Sequence, residues 1–419
     1  MDGKIKKIKA IEVLDSRGNP TVKVNVVISN AIFFGIAPCG ASTGSGEVKE
    51  KRDNNKRYFG KGVKVSCEFF NQEFAPQFIG ANLKRDYESI EETLMEEKEN
   101  IGGNFSIAFS IALLRAKAFC EGMEPYEFVS EFYLGKGFNP QGEFPKPMMN
   151  LINGGVHAGI ENDFQEHLLV VWKAKSVAEA VRIGSECYHQ LKKNLMKKYG
   201  VQAGLVADEG GFAIPNIGIE ERLEEILKAA EELGYGDKVR VSVDCAASEF
   251  FDSKKGRYNL RGKVYYPEEL VDYLKDLVNT FNLFSIEDGM AENDFAGWKI
   301  FYEKIGKKLG RVVIGDDLTV TDAERIREFA NKYINGVIIK PNQIGTIKEM
   351  MNAVLSAKEH SVKTVISHRS GDTEDPIVAD IAFGVASELC KFGAPCRAER
   401  TCKYNRLLEI YDETREADK

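Results

Sequence analysis

The chain has 419 residues, with 57 Lys plus Arg against 64 Asp plus Glu and a formal net charge of -7. This length predicts two domains, one of them large enough for an α/β barrel, and a hydrophobic fraction of 43% supplies a substantial core. An acidic chain gives no electrostatic reason to expect nucleic acid or an anionic membrane as a partner.

The sequence also indicates in which cellular compartment the protein lies. The N-terminal stretch MDGKIKKIKAIEVLD lacks the apolar region of a signal peptide. The most apolar helical run, FSIAFSIALLRAKAFC, is interrupted by Arg115 and Lys117, which predicts a buried globular helix and not a membrane span. Eight scattered cysteines without CxxC pairs predict free thiols. We therefore expect a cytoplasmic protein without disulfides or structural zinc.

The N-terminal third predicts an α+β domain. Residues 3–37 carry three runs of strand-type residues joined by turn formers such as SRGNP, which indicates a small antiparallel sheet. From about residue 60 to residue 133 the apolar residues recur with a helical period. The domain is predicted to cover residues 1–135, and the Gly- and Pro-rich stretch 134–147 predicts a linker.

The remainder, residues 143–419, alternates short apolar runs with amphipathic segments. The predicted helices are 177–198, 219–233, 267–280, 322–333 and 346–359. Such alternation predicts a parallel sheet, either closed into a barrel or doubly wound.

Five consecutive apolar runs end in an ionisable side chain: Asp244, Glu287, Asp316, Lys340 and His368. In a β/α barrel these ends meet on the face that carries active sites. A single charged strand end is more often a solvated side chain, but five in succession favour a site. The three carboxylates, 43 and 29 residues apart, could surround one hard cation, and all-oxygen ligation suits Mg²⁺ better than zinc.

A lysine beside such carboxylates is not a base by default, because its ordinary pKa is about 10.4. A nearby Mg²⁺ and other cations can lower the pKa of Lys340. The combination indicates abstraction of a proton next to a carboxylate, with the metal absorbing the charge that develops on the carboxylate oxygens.

Eleven segments resemble the enolase family, in the same order and nearly end to end. They are EVLDSRGNPTVKV, GASTGSGE, PMMNLINGGVHAG, FQEHLLV, VADEGGFA, VDCAASEF, SIEDGM, GDDLTVT, IKPNQIGT, VISHRSGDTED and KFGAPCRAERTCKYNRLLEI. Enolase-superfamily sites combine a Lys or His base with Mg²⁺. The pairing of Lys340 with Mg²⁺ is therefore also what the resemblance implies. The resemblance implies an α+β N-terminal domain followed by an α/β barrel of the enolase type, and a homodimer or larger homo-oligomer.

The resemblance also implies an activity, the reversible dehydration of 2-phosphoglycerate to phosphoenolpyruvate in glycolysis and gluconeogenesis, with two Mg²⁺ ions. It makes Asp244, Glu287 and Asp316 ligands of the first ion. Ser42, in the lid segment GASTG, becomes a ligand of the second ion. Lys340 becomes the base that takes the proton from C2.

Further roles follow from the same resemblance. Glu209 becomes the acid that protonates the departing 3-hydroxyl, and Glu166 lies beside it, so that mutual repulsion is a reason for one of the two to stay protonated. Lys391 would neutralise the substrate carboxylate, and Arg369 and Ser370 would hold the phosphate, the arginine through its planar fork. The expected pocket consists of His157, Glu166, Glu287, Asp316, Lys340, His368, Arg369, Ser370 and Lys391.

Taken without the resemblance, several of these residues have simpler interpretations. A lone histidine in a Gly-rich loop, such as His157, is more often a surface residue, and Glu166 would be a half-buried strand carboxylate. Arg397 and Arg400, near CKYNR, predict the N-terminal structure of a helix and not substrate binding.

The lid region departs from the family pattern at two positions. Cys39 stands where the family usually has Ser, and Gly46 where many members carry His. No histidine lies within ten residues of Cys39, so we expect a packing residue and not a nucleophile. Two alternatives to enolase activity stay open: a paralogue acting on another hydroxy acid, and a low-activity binding or structural paralogue.

Overall fold

The computed structural model describes residues 3–40, 44–135, 144–214 and 216–416. The predicted metal ligand Ser42 and most of the predicted linker lie outside these ranges. All eight cysteines lie inside them, and all are free, as the sequence predicts.

The first three strands form the expected antiparallel sheet, β1 (Ile5–Leu14), β2 (Pro20–Ile28) and β3 (Ala31–Ile36), in that spatial order. Four α-helices follow: α1 (Lys64–Phe69), α2 (Leu83–Ile101), α3 (Gly103–Glu121) and α4 (Pro125–Phe128). The α+β character of this region is therefore confirmed.

Helix α3 is the apolar run that the sequence analysis assigned to a buried globular helix. It packs on β2 and β3, and the approach is close, because a Cβ on Gly35 would lie 2.2 Å from the carbonyl oxygen of Ala108. Arg115 forms a 2.5 Å ion pair with Asp375, and Lys117 forms one with Glu121. The two charges therefore have partners inside the protein, and among the described residues no helix is long and apolar enough to cross a bilayer.

Eight strands of the C-terminal region close into a barrel. In chain order they are β4 (Lys146–Asn153), β5 (Glu166–Val171), β7 (Val239–Asp244), β11 (Ser285–Glu287), β12 (Val312–Gly315), β13 (Gly336–Ile339), β14 (Lys363–Ser367) and β15 (Leu389–Lys391). The pairing of β15 with β4 closes the ring. Short strand β6 (Phe212–Ala213) extends β4, and β8 (Phe251–Asp252), β9 (Arg257–Leu260) and β10 (Lys263–Tyr265) form a separate sheet.

The prediction of an all-parallel sheet is wrong for one strand. β5 runs antiparallel to both of its neighbours, β4 and β7, whereas the other barrel pairs are parallel. A continuous apolar run does not encode strand direction, because it is buried on both faces in either case. Apolar side chains such as Met148, Leu168 and Ile338 fill the interior, so the barrel is a packed core and not a pore.

The helices of this region are α5 (Val177–Tyr199), α6 (Ile219–Glu232), α7 (Pro267–Phe281), α8 (Phe295–Phe301), α9 (Ala323–Phe329), α10 (Pro341–Ile344), α11 (Ile347–Glu359), α12 (Ile377–Gly384) and α13 (Ala398–Glu416). The predicted helix 322–333 is too long at its C-terminal end. Ala330 has a non-helical ψ of 128° and Asn331 has a positive φ of 58°, so the chain leaves the helix after Phe329. Asp322 caps the start of α9 by accepting a hydrogen bond from the Arg325 amide.

A buried carboxyl group links the N-terminal region to the barrel. Glu91 of α2 accepts hydrogen bonds of 2.7 and 2.8 Å from the Ser110 hydroxyl of α3. It also accepts the backbone N–H of Lys348, at the start of α11, over 3.2 Å. The side chain is fully buried, and burial raises the pKa of Glu91 to about 7.

Candidate active site

Three carboxylates lie side by side on neighbouring barrel strands. The strand register pairs Asp244 with Glu166 on one side and with Glu287 on the other. Asp244 and Glu287 end their strands, whereas Glu166 begins β5. Because β5 is reversed, its first residue lies at the same end of the barrel as the last residues of β7 and β11. All three side chains are buried.

Lys391, the last residue of β15, inserts its ammonium group among these carboxylates. Its Nζ lies 3.1 Å from Glu166 Oε2, 3.2 Å from Asp244 Oδ2 and 2.8 Å from both carboxylate oxygens of Glu287. Burial opposes the charged form, but the three carboxylates raise the pKa of Lys391 well above its ordinary value. The lysine therefore stays charged, and it neutralises part of a buried anionic cluster.

Lys340 follows β13 and forms an ion pair with Asp316, which follows β12. The other carboxylate oxygen of Asp316 accepts a 2.8 Å hydrogen bond from the Gln343 side chain. Burial lowers the pKa of Lys340, but the charge of Asp316 outweighs it, so the pKa is raised above the ordinary value. The contacts made by the described residues thus shift the pKa of Lys340 in the direction opposite to what a general base requires.

Two further carboxylates that the sequence analysis missed lie beside Asp316. Asp288 accepts the backbone N–H groups of Asp316 and Asp317, each over 2.9 Å. Carboxylate oxygens of these three residues lie within 4.8 Å of one another. The doubled acids in IEDG and GDDL were the signal, because a second acid at a strand end can hold the loop that carries the first.

Glu209 occupies a loop before β6 and faces two histidines. Its carboxylate oxygens lie 3.6 Å from His157 Nδ1 and 3.5 Å from His368 Nε2, and Asn150 donates a 3.0 Å hydrogen bond to it. Burial lowers the pKa of His368 to about 4, so its ring is uncharged at neutral pH. The family resemblance implied that His157 lines the pocket, and the residue is buried there; the surface position expected without the resemblance is wrong.

The two glutamates of the predicted acid pair are shifted in opposite directions. Burial raises the pKa of Glu166 well above its ordinary value, and the charge of Glu209 adds to this shift. The pKa of Glu209 is lowered despite its burial by His157, His368 and Arg400. The expectation that one of the pair stays protonated is thus supported, and the group that holds the proton is Glu166.

Arg369 follows β14 and is held by a carboxylate from the N-terminal region. Its two terminal nitrogens donate to the two oxygens of Glu47 over 2.9 and 3.1 Å, and one of them also donates to Asn342 over 3.2 Å. The side chains of Arg369 and Glu47 are 3% and 7% exposed, so this is a buried bidentate pair. Glu47 is a site residue that the sequence analysis missed, although it ends the quoted segment GASTGSGE.

Arg400, in the first turn of α13, supports the same loop. Its guanidinium donates 2.5 Å hydrogen bonds to the carbonyl oxygens of Arg369 and Ser370, and Asp372 accepts the backbone N–H of Arg369 over 3.1 Å. Arg400 lies at the start of a helix, as expected, and its contacts position the loop that carries Arg369 and Ser370.

The structure shows the surroundings of the two departures near the lid. The backbone of Cys39 exchanges two hydrogen bonds with Gly371, and burial raises the pKa of the Cys39 thiol to about 11, so the group is not a thiolate at neutral pH. A Cβ on Gly46 would lie 2.7 Å from the Arg325 guanidinium and 3.0 Å from a methyl group of Val320. A larger residue at position 46 would therefore have to displace Arg325.

One cavity brings together ten of the residues singled out in the sequence. They are His157, Glu166, Glu209, Asp244, Asp316, Lys340, His368, Arg369, Ser370 and Lys391. Glu287 lies directly behind this surface, bound to Lys391. The cavity is thus lined by carboxylates and by the Arg369 guanidinium, a combination that suits a metal ion and an anionic ligand together.

Comparison with known proteins agrees with this architecture. Residues 5–129 match the family model described as the enolase N-terminal domain, and residues 142–419 match the enolase C-terminal TIM barrel domain. A protein named Enolase from Thermococcus kodakarensis is 42% identical over 98% of this chain and 95% of its own length. Another named Enolase, from Methanocaldococcus jannaschii, is 43% identical over the same shares.

The two family models together cover nearly the whole chain, and the relatives align from end to end. The closed barrel and the carboxylate-rich cavity at one of its ends agree with that match. This chain belongs to the enolase family.

Proposed function

We propose that this chain is a Mg²⁺-dependent hydro-lyase that interconverts 2-phosphoglycerate and phosphoenolpyruvate. The observation that carries the proposal is the single cavity in which Lys340, Asp244, Asp316, Arg369 and Lys391 meet, with the third strand-end carboxylate, Glu287, bound to Lys391. These groups match the needs of a substrate that carries a carboxylate, a phosphate and an acidic C–H bond between them.

The donor set fits a hard cation. Asp244, Glu287 and Asp316 offer only carboxylate oxygens, and the raised pKa of Glu287, caused by burial and by Asp244, reflects negative charge crowded at this point. We propose that these three residues hold the first Mg²⁺ and that Ser42 contributes to a second. When bound, Mg²⁺ supplies positive charge that stabilises the developing charge on the substrate carboxylate.

Four side chains take the acid–base and charge-pairing roles. Lys340 removes the proton from C2, and Lys391 pairs with the substrate carboxylate. Glu209 delivers a proton to the 3-hydroxyl as it departs. Because the pKa of Glu209 is lowered and that of Glu166 is raised, Glu209 must first receive this proton from Glu166, whose carboxylate oxygen lies within 4.8 Å. For Lys340 to act as a base, its ion pair with Asp316 must open, because a lysine held by a carboxylate keeps its proton.

Arg369 and Ser370 hold the phosphate in this scheme. The guanidinium fork already binds a carboxylate in two-point fashion, that of Glu47, and a phosphate offers the same geometry with more charge. A buried arginine of this kind supports a phosphorylated substrate over an unphosphorylated hydroxy acid.

We further propose that residues 1–135 form a capping domain that carries the lid, that residues 143–419 form the catalytic domain, and that the protein acts as a cytoplasmic homodimer or larger homo-oligomer. The break between the two matched family models supports the proposed domain division.

The experiment is the ultraviolet appearance of phosphoenolpyruvate from 2-phosphoglycerate with purified protein and Mg²⁺. We expect turnover that EDTA abolishes and excess Mg²⁺ restores, and we expect Lys340→Ala to lose it while Lys307→Ala, at an exposed surface pair, retains it. Absence of product at high enzyme concentration would contradict the proposal, and it would favour a binding paralogue.

A further inference from the structure

The end of the barrel opposite the cavity carries a cluster of cations around one tryptophan. We call Trp172, Lys173, Arg240 and Arg311 the basal cluster. Trp172 and Lys173 follow β5, whose reversed direction brings its C-terminal end to this side, while Arg240 lies near the start of β7 and Arg311 directly precedes β12. None of these residues takes part in the site described above.

The indole ring organises the cluster. The guanidinium carbon of Arg240 lies 4.1 Å from the ring centroid of Trp172, and the Nζ of Lys173 lies 4.6 Å from it. Trp172 itself packs against the apolar residues that fill the barrel. Two cations are therefore fixed on one aromatic side chain, at cation–π distance.

The cations of the cluster lack carboxylate partners. Among the described residues, ion pairs nearby are made by other groups, such as Lys238 with Glu179, and none includes Lys173, Arg240 or Arg311. The pKa of Arg240 is lowered by burial and by the charge of Arg311, so the charged group that acts on Arg240 is another cation. In a chain with a net charge of -7, such a concentration of unpaired positive charge is unexpected.

Hydrogen-bond donors in the cluster are also unused. Within the described part of the chain, Trp172 Nε1 and Arg311 Nε are buried and have no acceptor, and the Arg311 side chain donates elsewhere only to Asn282, over 2.7 Å. The guanidinium of Arg240 has no acceptor among the same residues. Buried donors are nearly always satisfied, so the N–H groups of Trp172 and Arg311 indicate an acceptor that comes from outside the chain. The Arg240 guanidinium is half-buried beside them.

We propose that the basal cluster binds a small oxyanion of the phosphate type. A tetrahedral dianion offers several acceptor oxygens and relieves the repulsion between Arg240 and Arg311, and the guanidinium fork suits it better than a monovalent halide. The ligand is either free inorganic phosphate or the phosphate group of a metabolite. The proposal is independent of the proposed function, because it uses no residue of the active-site cavity.

The test uses Trp172 as its own reporter. The chain contains two tryptophans, Trp172 and Trp298, and Trp298 is fully buried. In Trp298→Phe, Trp172 is therefore the single source of tryptophan fluorescence. Titration with potassium phosphate should give a saturable change that potassium chloride at equal ionic strength does not. Adding Arg240→Gln should weaken apparent phosphate binding roughly tenfold or more, because a charge-assisted fork is lost.

Parallel titrations with 2-phosphoglycerate, in proteins with and without Arg240→Gln, separate the two sources. Because 2-phosphoglycerate is also the proposed ligand of the active-site cavity, only a response that is tighter than with phosphate and is lost in the Arg240→Gln background identifies a metabolite at the basal cluster. No response beyond that of chloride, or an unchanged response in the Arg240→Gln background, would overturn the proposal. If Trp298→Phe does not fold, the rise in melting temperature with phosphate is compared between the otherwise native chain and Arg240→Gln. An equal rise in melting temperature in the two proteins would then overturn the proposal. We expect the rate of enolase turnover to be the same in both proteins, because Arg240 lies outside the active-site cavity.

Discussion

Replacement of Lys391 by methionine tests the electrostatics of the site. The ammonium group contacts Glu166, Asp244 and Glu287 at 2.8 to 3.2 Å, and all four side chains are 5% exposed or less. Methionine keeps most of the volume and removes the charge. Breaking a buried pair typically costs about 3–5 kcal/mol, and at about 2 °C per kcal/mol this lowers the melting temperature by about 6–10 °C in EDTA.

The loss of stability in Lys391→Met should depend on pH. The pKa values of Glu166 and Glu287 already lie above their ordinary value because of burial and neighbouring carboxylates, and loss of Lys391 raises them further. The folded variant then binds more protons than the unfolded chain, so its stability falls as pH rises above the ordinary carboxyl pKa. We expect a small difference in melting temperature between wild type and Lys391→Met near pH 5 and the full difference at pH 8.

The assay is thermal unfolding of wild type and variant in EDTA from pH 5 to pH 8. Lys307→Met is the matched control, because Lys307 is half exposed and forms a surface ion pair with Glu303, and such pairs contribute less than about 1 kcal/mol. A deficit equal to that of the control, or one that does not change with pH, would refute the electrostatic account. Mg²⁺ should restore part of the lost stability by binding the freed carboxylates.

Three other changes have distinct expected outcomes. Arg369→Ala should abolish binding of a phosphate-bearing inhibitor, measured by calorimetry; surviving affinity would refute the phosphate assignment. Cys39→Ser should leave kcat and KM unchanged, because the raised thiol pKa excludes a thiolate; a large fall in kcat would reopen a nucleophilic role. Glu91→Gln should be more stable than wild type at pH 8 by about 3 kcal/mol, because a carboxyl pKa near 7 costs about that much in the ionised form; pH-independent unfolding of wild type from pH 5 to pH 8 would contradict this.

The strand-end pattern predicted the parallel part of the site. Asp244, Glu287 and Asp316 were found because parallel strands bring their C-terminal ends together. Glu166 could not be found in this way, since it begins a reversed strand and only the register with β7 reveals its position. Lys391 ends the last barrel strand, β15, and only the family resemblance identified it.

The supporting residues were harder to predict, because they act across the fold. Glu47 reaches Arg369 from 322 positions earlier in the chain, and Arg400 reaches the carbonyl of Arg369 from a helix at the C-terminal end. Such contacts depend on how the N-terminal region and the last helix pack on the barrel. Local periodicity carries no information about that packing.

Exchange of the C2 hydrogen of 2-phosphoglycerate in deuterated water tests the central claim most directly. If Lys340 is the base, wild type exchanges this hydrogen, Lys340→Ala does not, and Glu209→Gln still exchanges it, because Glu209 acts only on the departing hydroxyl. Nuclear magnetic resonance follows the loss of the C2 proton signal in each protein with Mg²⁺ present. Exchange by Lys340→Ala at the wild-type rate would contradict the account.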